Sequence, residues 1–358
     1  MDFVNQTGVC ADWTVGFDRD GRELVVVAVK ATFVIPPPLQ EPTLANEQVP
    51  LIAADTFTGD PGVSAPLQEV DYAHRKPACD VLLNGKAWAP AGRAVTGIAV
   101  GLKVGPMAKA FMVVGDRVWR RGVLGVSAGA AQPFVSMPIS YDNAFGGVDA
   151  GQRKTYLANP VGRGFAPSGQ NLPGQLLPNT EEIGRSIDDA SGSYRPMSFG
   201  PIGRNWLPRS SFAGTYDDAW IAQRAPFWPA DFDDRYFQAA PADQQIPFPA
   251  GGEEVVLKNL TPEGHVGFRL PSFAPPVLFV RRKSPPYELR AVTDTILIEP
   301  DCGTFSLTAR VSLPMKRSCF DLTHVVAGRT TQEWLGRQRF GRKPYYRSLA
   351  ELVQARKR

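Results

Sequence analysis

Ile98, Val100, Leu102 and Val104 place an apolar residue at every second position, the period of a strand with one face buried. A longer β-branched run over residues 23–35, interrupted by Lys30, is stopped by the three prolines at 36–38. Similar patterns predict strands over 9–17, 79–83, 94–104, 109–114 and 117–121. They return over 254–260, 265–270, 277–282, 288–292, 295–299 and 304–313. Turn residues at Asp18–Gly21, Asn84-Gly85 and Gly115-Asp116 punctuate them. Many short strands at this spacing predict a mainly β fold, with antiparallel sheets in a sandwich or barrel-like arrangement. Beyond Lys316 the pattern turns helical over 331–339 and 346–356, where Leu349, Leu352 and Val353 line one side. No repeat of 20 to 50 residues is present, which excludes a solenoid or propeller.

Between residues 133 and 250 the period disappears. Residues 195–245 hold three Trp, five Phe and two Tyr among Pro, Gly, Arg and Asp. Rings of this size are stable when they bury about 150 to 250 Å² each, and irregular backbone buried with them must find polar partners. Such a composition is wrong for disorder and predicts an ordered, non-repetitive scaffold or recognition surface. The expected organisation is one large domain over 1–315, followed by a basic, partly helical tail over 316–358. Within the domain, an N-terminal β section (1–132) and a C-terminal β section (251–315) flank the irregular middle (133–250).

Composition changes this picture in two places. Gly 34 and Pro 33 in 358 residues exclude a helical bundle. The net charge of +4 divides unevenly. From Lys316 onward 11 Lys and Arg stand against 3 Asp and Glu, so residues 1–315 hold 28 against 32 and are net −4. The basicity belongs to the tail, which suits an acidic surface or simply solvent. Cys10, Cys79, Cys302 and Cys319 have no paired spacing and His74, His265 and His324 are scattered. That pattern fits neither a disulfide framework nor a zinc site and suits a reducing cytoplasm. The first residues lack the basic and apolar regions of a signal peptide, and no apolar run is long enough to span a bilayer. A cytoplasmic protein is expected, with no membrane partner.

Several short patterns invite chemistry. Gly125-Val126-Ser127-Ala128-Gly129 matches a nucleophile elbow, but no amphipathic helix follows Ser127, and a glycine-rich turn is expected instead. Asp231 and Asp233, with Asp217 and Asp218 upstream, could ligate a metal or act as paired carboxylates. The plainer expectation is that Asp231 caps a short helix while the other Asp residues pair with Arg209, Arg224 or Arg235. The glycines after Asn159-Pro160 lack the spacing of a phosphate loop. His74 has no nucleophile near it in sequence. The aromatic middle has five Arg against six Asp, which argues against nucleic acid. None of these patterns assembles an active site. The chain is read as non-enzymatic, with no metal or cofactor. A hydrolase using Ser127 or the Asp231/Asp233 pair is one alternative. A carbohydrate-binding β-sandwich stacking sugars on Trp206, Trp220 or Trp228 is another.

The segments HRKPACDVLLNGKAWAP, GDRVW, MPISYDNAFGG, NPVGRGF, LPNTE and GTYDDAWIAQRAPFWPADFDDRYFQAAPADQQ occur in that order. Together they resemble the domain-of-unknown-function family 2169, from about residue 10 to about residue 313. Its members serve as adaptors, or chaperones, for toxic effectors of bacterial type VI secretion systems. The resemblance implies a cytoplasmic protein that binds a cognate effector and helps load it onto the VgrG spike, often through a PAAR-type tip. Its motifs fall on Tyr141, Phe145, Gly146, Gly147, Asn159, Pro160, Gly162 and Gly164, then on Asn179 and Glu181. They continue on Gly214, Thr215, Tyr216, Asp217 and Trp220, and on Asp231, Phe232, Asp233, Phe237, Gln244 and Gln245. These positions, with Trp206, are expected to form either the interaction surface or the scaffold beneath it.

Overall fold

The computed structural model describes residues 1–358 except 123–124, 150, 171, 190, 282–283, 317, 331–348 and 357–358. The chain is mainly β, with several antiparallel sheets and no closed barrel. Every large sheet keeps two edge strands.

The largest sheet has six strands, in the order Gln245–Ile246, Cys79–Leu83, Val292–Glu299, Thr304–Pro314, Glu23–Val34, Cys10–Phe17. The middle segment and both β sections contribute strands, so the sections are interleaved. Glu23–Val34 is buried along almost its whole length because it lies between two partners and is covered on both faces. One face carries Val25, Val27, Val29, Ala31 and Phe33 into the main core. The alternate positions Lys30 and Thr32 point the other way, beside Thr308 and Ser306 of the neighbouring strand. Lys30, which breaks the apolar run in sequence, is therefore the sign of a second, polar face.

A five-stranded sheet runs Thr180–Glu181, Met107–Val114, Gly97–Val104, Glu254–Lys258, His265–Arg269. Its Val100, Leu102, Phe111, Leu257 and Phe268 share the main core with the six-stranded sheet. A third sheet orders Asp2–Asn5, Leu322–Ala327, Pro276–Arg281, Tyr287–Arg290. Leu322–Ala327 lies inside the region read as tail. It pairs parallel with Asp2–Asn5 and buries Leu322 and Val325 in the core, so the ordered fold passes residue 315. A parallel pairing with the chain's beginning leaves no local trace in sequence. Cys79–Leu83 is likewise parallel to Val292–Glu299.

The expected helix at the end is present over Leu349–Arg356, with Leu349 and Val353 exposed. The helix expected over 331–339 lies outside the described residues. Residues Gly125–Ala128, expected as a turn, form a strand of a small hairpin with Trp119–Gly122. No described helix is long and apolar enough to cross a membrane.

Candidate functional site

Most of the motif residues are interior. Asn159 is fully buried, and its Nδ2 donates to the carbonyls of Tyr141 (2.8 Å) and Phe145 (3.0 Å). That clasp joins residues 141–147 to residues 159–164, which also pair in parallel through Phe145–Gly146 and Arg163–Gly164. Pro160 extends the second loop. Gly146 and Gly147 have positive φ (153° and 97°), and a Cβ would collide with the carbonyl oxygens of Asn159 and Gly162 respectively. Phe145 packs among Tyr156, Phe165 and Tyr194, while Tyr141 meets Trp206 edge-on at 5.5 Å. Trp206 is buried there, which removes it as a sugar-stacking platform. Burial also pushes the Tyr141 hydroxyl well above its usual pKa.

The second group ties this clasp to the sheets. Asn179 donates to the Val114 carbonyl (2.9 Å) and Asp116 (3.0 Å), and accepts from Arg163. Glu181 accepts from Arg117 (2.9 Å) and from the Ile187 amide (2.9 Å). Gln244, fully buried, donates to the carbonyls of Val81 and Phe199 and accepts from Lys109 at 2.6 Å. Burial, only partly offset by Asp243, lowers the Lys109 pKa to about 8. Gln245 donates to the Ala240 carbonyl (2.8 Å). These side chains act as scaffold.

Sequence reasoning missed the polar face of the six-stranded sheet. Lys30 pairs with Asp71 at 3.0 Å, Lys76 with Asp80 at 2.6 Å, and Arg310 with Asp294, all buried. Asp80 also accepts from Gln238 and from the amides of Ala239 and Ala240. Arg209 is buried against Glu69 and donates to the carbonyls of Ile202 and Tyr236. The irregular middle thus covers a charged sheet face, and the arginine-to-aspartate pairing expected for Arg209 goes to a glutamate instead. The alternation Ser306, Thr308, Arg310 opposite Lys30 and Thr32 was the available signal.

Residues 214–237 behave differently. Asp217 caps the helix Asp218–Gln223 through the Trp220 amide (2.8 Å), and Asp233 caps the short turn Asp234–Phe237. The expected cap at Asp231 is corrected: its carboxylate accepts from the Thr215 amide (2.9 Å) and hydroxyl (2.8 Å), which hold its pKa below the usual range. Asp233 is lowered by its bonds from Arg235. Asp217 and Asp231 are therefore occupied in shaping the loop. Among the described residues no group of three His, Cys, Asp or Glu could hold a metal. Ser127 makes no side-chain hydrogen bond among them.

This segment carries a contiguous exposed aromatic face. Tyr216 packs on Trp220 at 4.8 Å; Trp220 donates its indole N–H to the Phe227 carbonyl; and Phe227 meets Phe17 edge-on at 5.8 Å. Phe17, Tyr216, Ile221 and Phe227 are all exposed. Trp228 stacks on Phe232 at 4.3 Å and reaches the Phe17 carbonyl (3.3 Å), so the segment is pinned to the hairpin turn at 17–23. Phe232 and Phe237 lie beneath, buried. Of the motif residues in this segment, Thr215, Tyr216, Asp217 and Asp231 are exposed, and Trp220 and Asp233 are half-buried.

No curated protein and no solved structure matches the chain. The family model described as an uncharacterized protein conserved in bacteria, DUF2169, matches residues 20–310, a stretch that includes the clasp, the polar sheet face and the aromatic segment. With the greater part of its length matched, the chain belongs to the DUF2169 family.

Proposed function

We propose that this protein is a non-enzymatic adaptor that binds a cognate type VI secretion effector in the cytoplasm and promotes its loading onto the VgrG and PAAR spike. The observation that supports this reading is the exposed face of Phe17, Tyr216, Ile221 and Phe227 on a scaffold in which many of the motif residues are buried, among them Asn159 and Gln244 in buried hydrogen bonds. Contiguous exposed apolar surface of this kind marks a docking site. Aromatic anchors dominate binding energy at protein interfaces. Exposed charged residues of the same segment, Asp217, Asp218 and Asp231, suit an interface that forms and later releases.

The test is co-expression of the tagged chain with its neighbouring effector and spike proteins, followed by size-exclusion chromatography. A complex that keeps the effector soluble, and that is lost in Ile221→Ser/Phe227→Ser while the variant stays folded, supports the adaptor. A folded protein that ignores both neighbours overturns it.

A further inference from the structure

A cleft of about 430 Å³ opens between the hairpin turn at 17–23 and the aromatic segment. Its apolar wall is made by Phe17, Trp228, Phe232 and Phe237. Asp18, Asp20, Asp233 and Asp234 stand along it, with Arg19 and Arg75 as the cations among the described residues lining it and His74 beside them. Burial holds His74 below its ordinary pKa, which favours its neutral form.

The carboxylates are unequally occupied. Asp233 is taken by Arg235, and Asp18 accepts from the amides of Asp20 and Arg22. Asp20 makes no side-chain hydrogen bond or ion pair among the described residues. Asp234 has only Arg75 at 3.7 Å, with both side chains open to solvent. Two under-neutralised carboxylates thus face an aromatic wall. The surrounding segment 214–237 has five Asp against Arg224 and Arg235, a net −3.

Resting on the adaptor reading, we propose that this cleft seats an arginine or lysine side chain of a basic segment in the protein partner. The aliphatic stem of such a side chain would pack along Phe17 and Trp228, and its charged head would meet Asp20 and Asp234. Long cationic side chains bury apolar stems in this way while keeping the head near water and carboxylates. Aromatic faces add attraction for the cation. An anionic segment would meet repulsion from both carboxylates, and a purely apolar one would desolvate them and leave Asp20 without a partner.

The probe is a short acetylated, amidated peptide with two arginines flanked by leucines, compared with the same peptide carrying citrulline. Calorimetry on the full-length protein should show binding of the arginine peptide that weakens as salt rises. Asp20→Asn/Asp234→Asn, which alters two exposed groups, should weaken it roughly tenfold, as two half-screened ion pairs imply. Equal binding of the citrulline peptide, or indifference to the double variant, overturns the inference. The same double variant is then co-purified with the effector. An effector complex of unchanged affinity would sink the cationic anchor and leave the adaptor reading standing. Arginine-peptide binding with no effector complex from the wild type would do the reverse.

Discussion

Asp80 and Asp233 are both aspartates that accept several hydrogen bonds and face a cation, yet they sit at opposite ends of this molecule's range of environments. Asp80 is fully buried between the six-stranded sheet and the irregular cover. Its four donors, Lys76, Gln238 and the amides of Ala239 and Ala240, come from both sides of that boundary. Asp233 accepts from a single neighbour, Arg235, at the surface, and its effect stays within one turn. The same side chain fastens a domain in one place and shapes a loop in the other. What differs is the solvent: a buried carboxylate cannot exchange a lost partner for water, whereas an exposed one can.

The sharpest way to break this contrast is Asp80→Ala. It strands the Lys76 ammonium in the interior and leaves two buried amides unpaired, so a loss of about 4 kcal/mol is expected. Urea denaturation would measure it, or failure to obtain soluble protein would report the same effect. Wild-type stability in that variant would show that water reaches the site and that the contrast is false.

Gly147→Ala should come next, at about 3 kcal/mol, because it combines a positive φ with a collision against the Gly162 carbonyl. Circular dichroism melts compared with Gly252→Ala, which has positive φ but open space, would separate crowding from backbone strain.

A third test uses pH. The Lys109 pKa falls from 10.5 to about 8 in the folded state, chiefly through burial. Between those values the unfolded chain binds the extra proton, so stability rises with pH across this window. The wild type should gain about 1.4 kcal/mol over Lys109→Met by about pH 9, relative to neutral pH. Parallel curves would mean that Lys109 keeps its charge in the fold.

Asp233→Asn should cost less than about 1 kcal/mol, since its cap and ion pair are exposed and screened. Smallest of all in stability should be Ile221→Ser/Phe227→Ser, within about 0.5 kcal/mol, while effector binding falls at least about tenfold if these residues are anchors. Loss of fold in that pair would move the aromatic face from the docking surface to the scaffold.

The strands were the most legible feature. Cys79–Leu83 and the alternation through Val104 follow from local burial on one or two faces, a property each residue carries with it. The strand Leu322–Ala327 was not legible, because its reason is a parallel partner at the other end of the chain. Within the aromatic middle, the sequence showed that the rings had to be ordered but not which were covered. Trp206 and Phe232 are interior, whereas Tyr216 and Phe227 are exposed, and nothing in composition distinguishes them. The loop glycines were legible as turns, but their reason, an approaching carbonyl from a second loop, was not.

By itself, then, the sequence determined the β-rich class, the ordered aromatic middle, the family and the concentration of basic residues after Lys316. Each of these depends on periods of two residues, on composition, or on motifs that are contiguous in the chain. Tertiary structure alone decided which charges are buried and which aromatics meet solvent. Arg209 finds Glu69 across 140 positions and Gln238 finds Asp80 across 158, and only folding brings such partners within hydrogen-bonding distance. Burial and pairing are properties of that shared space, where the loss of water makes each polar group depend on partners its own neighbourhood in sequence does not contain.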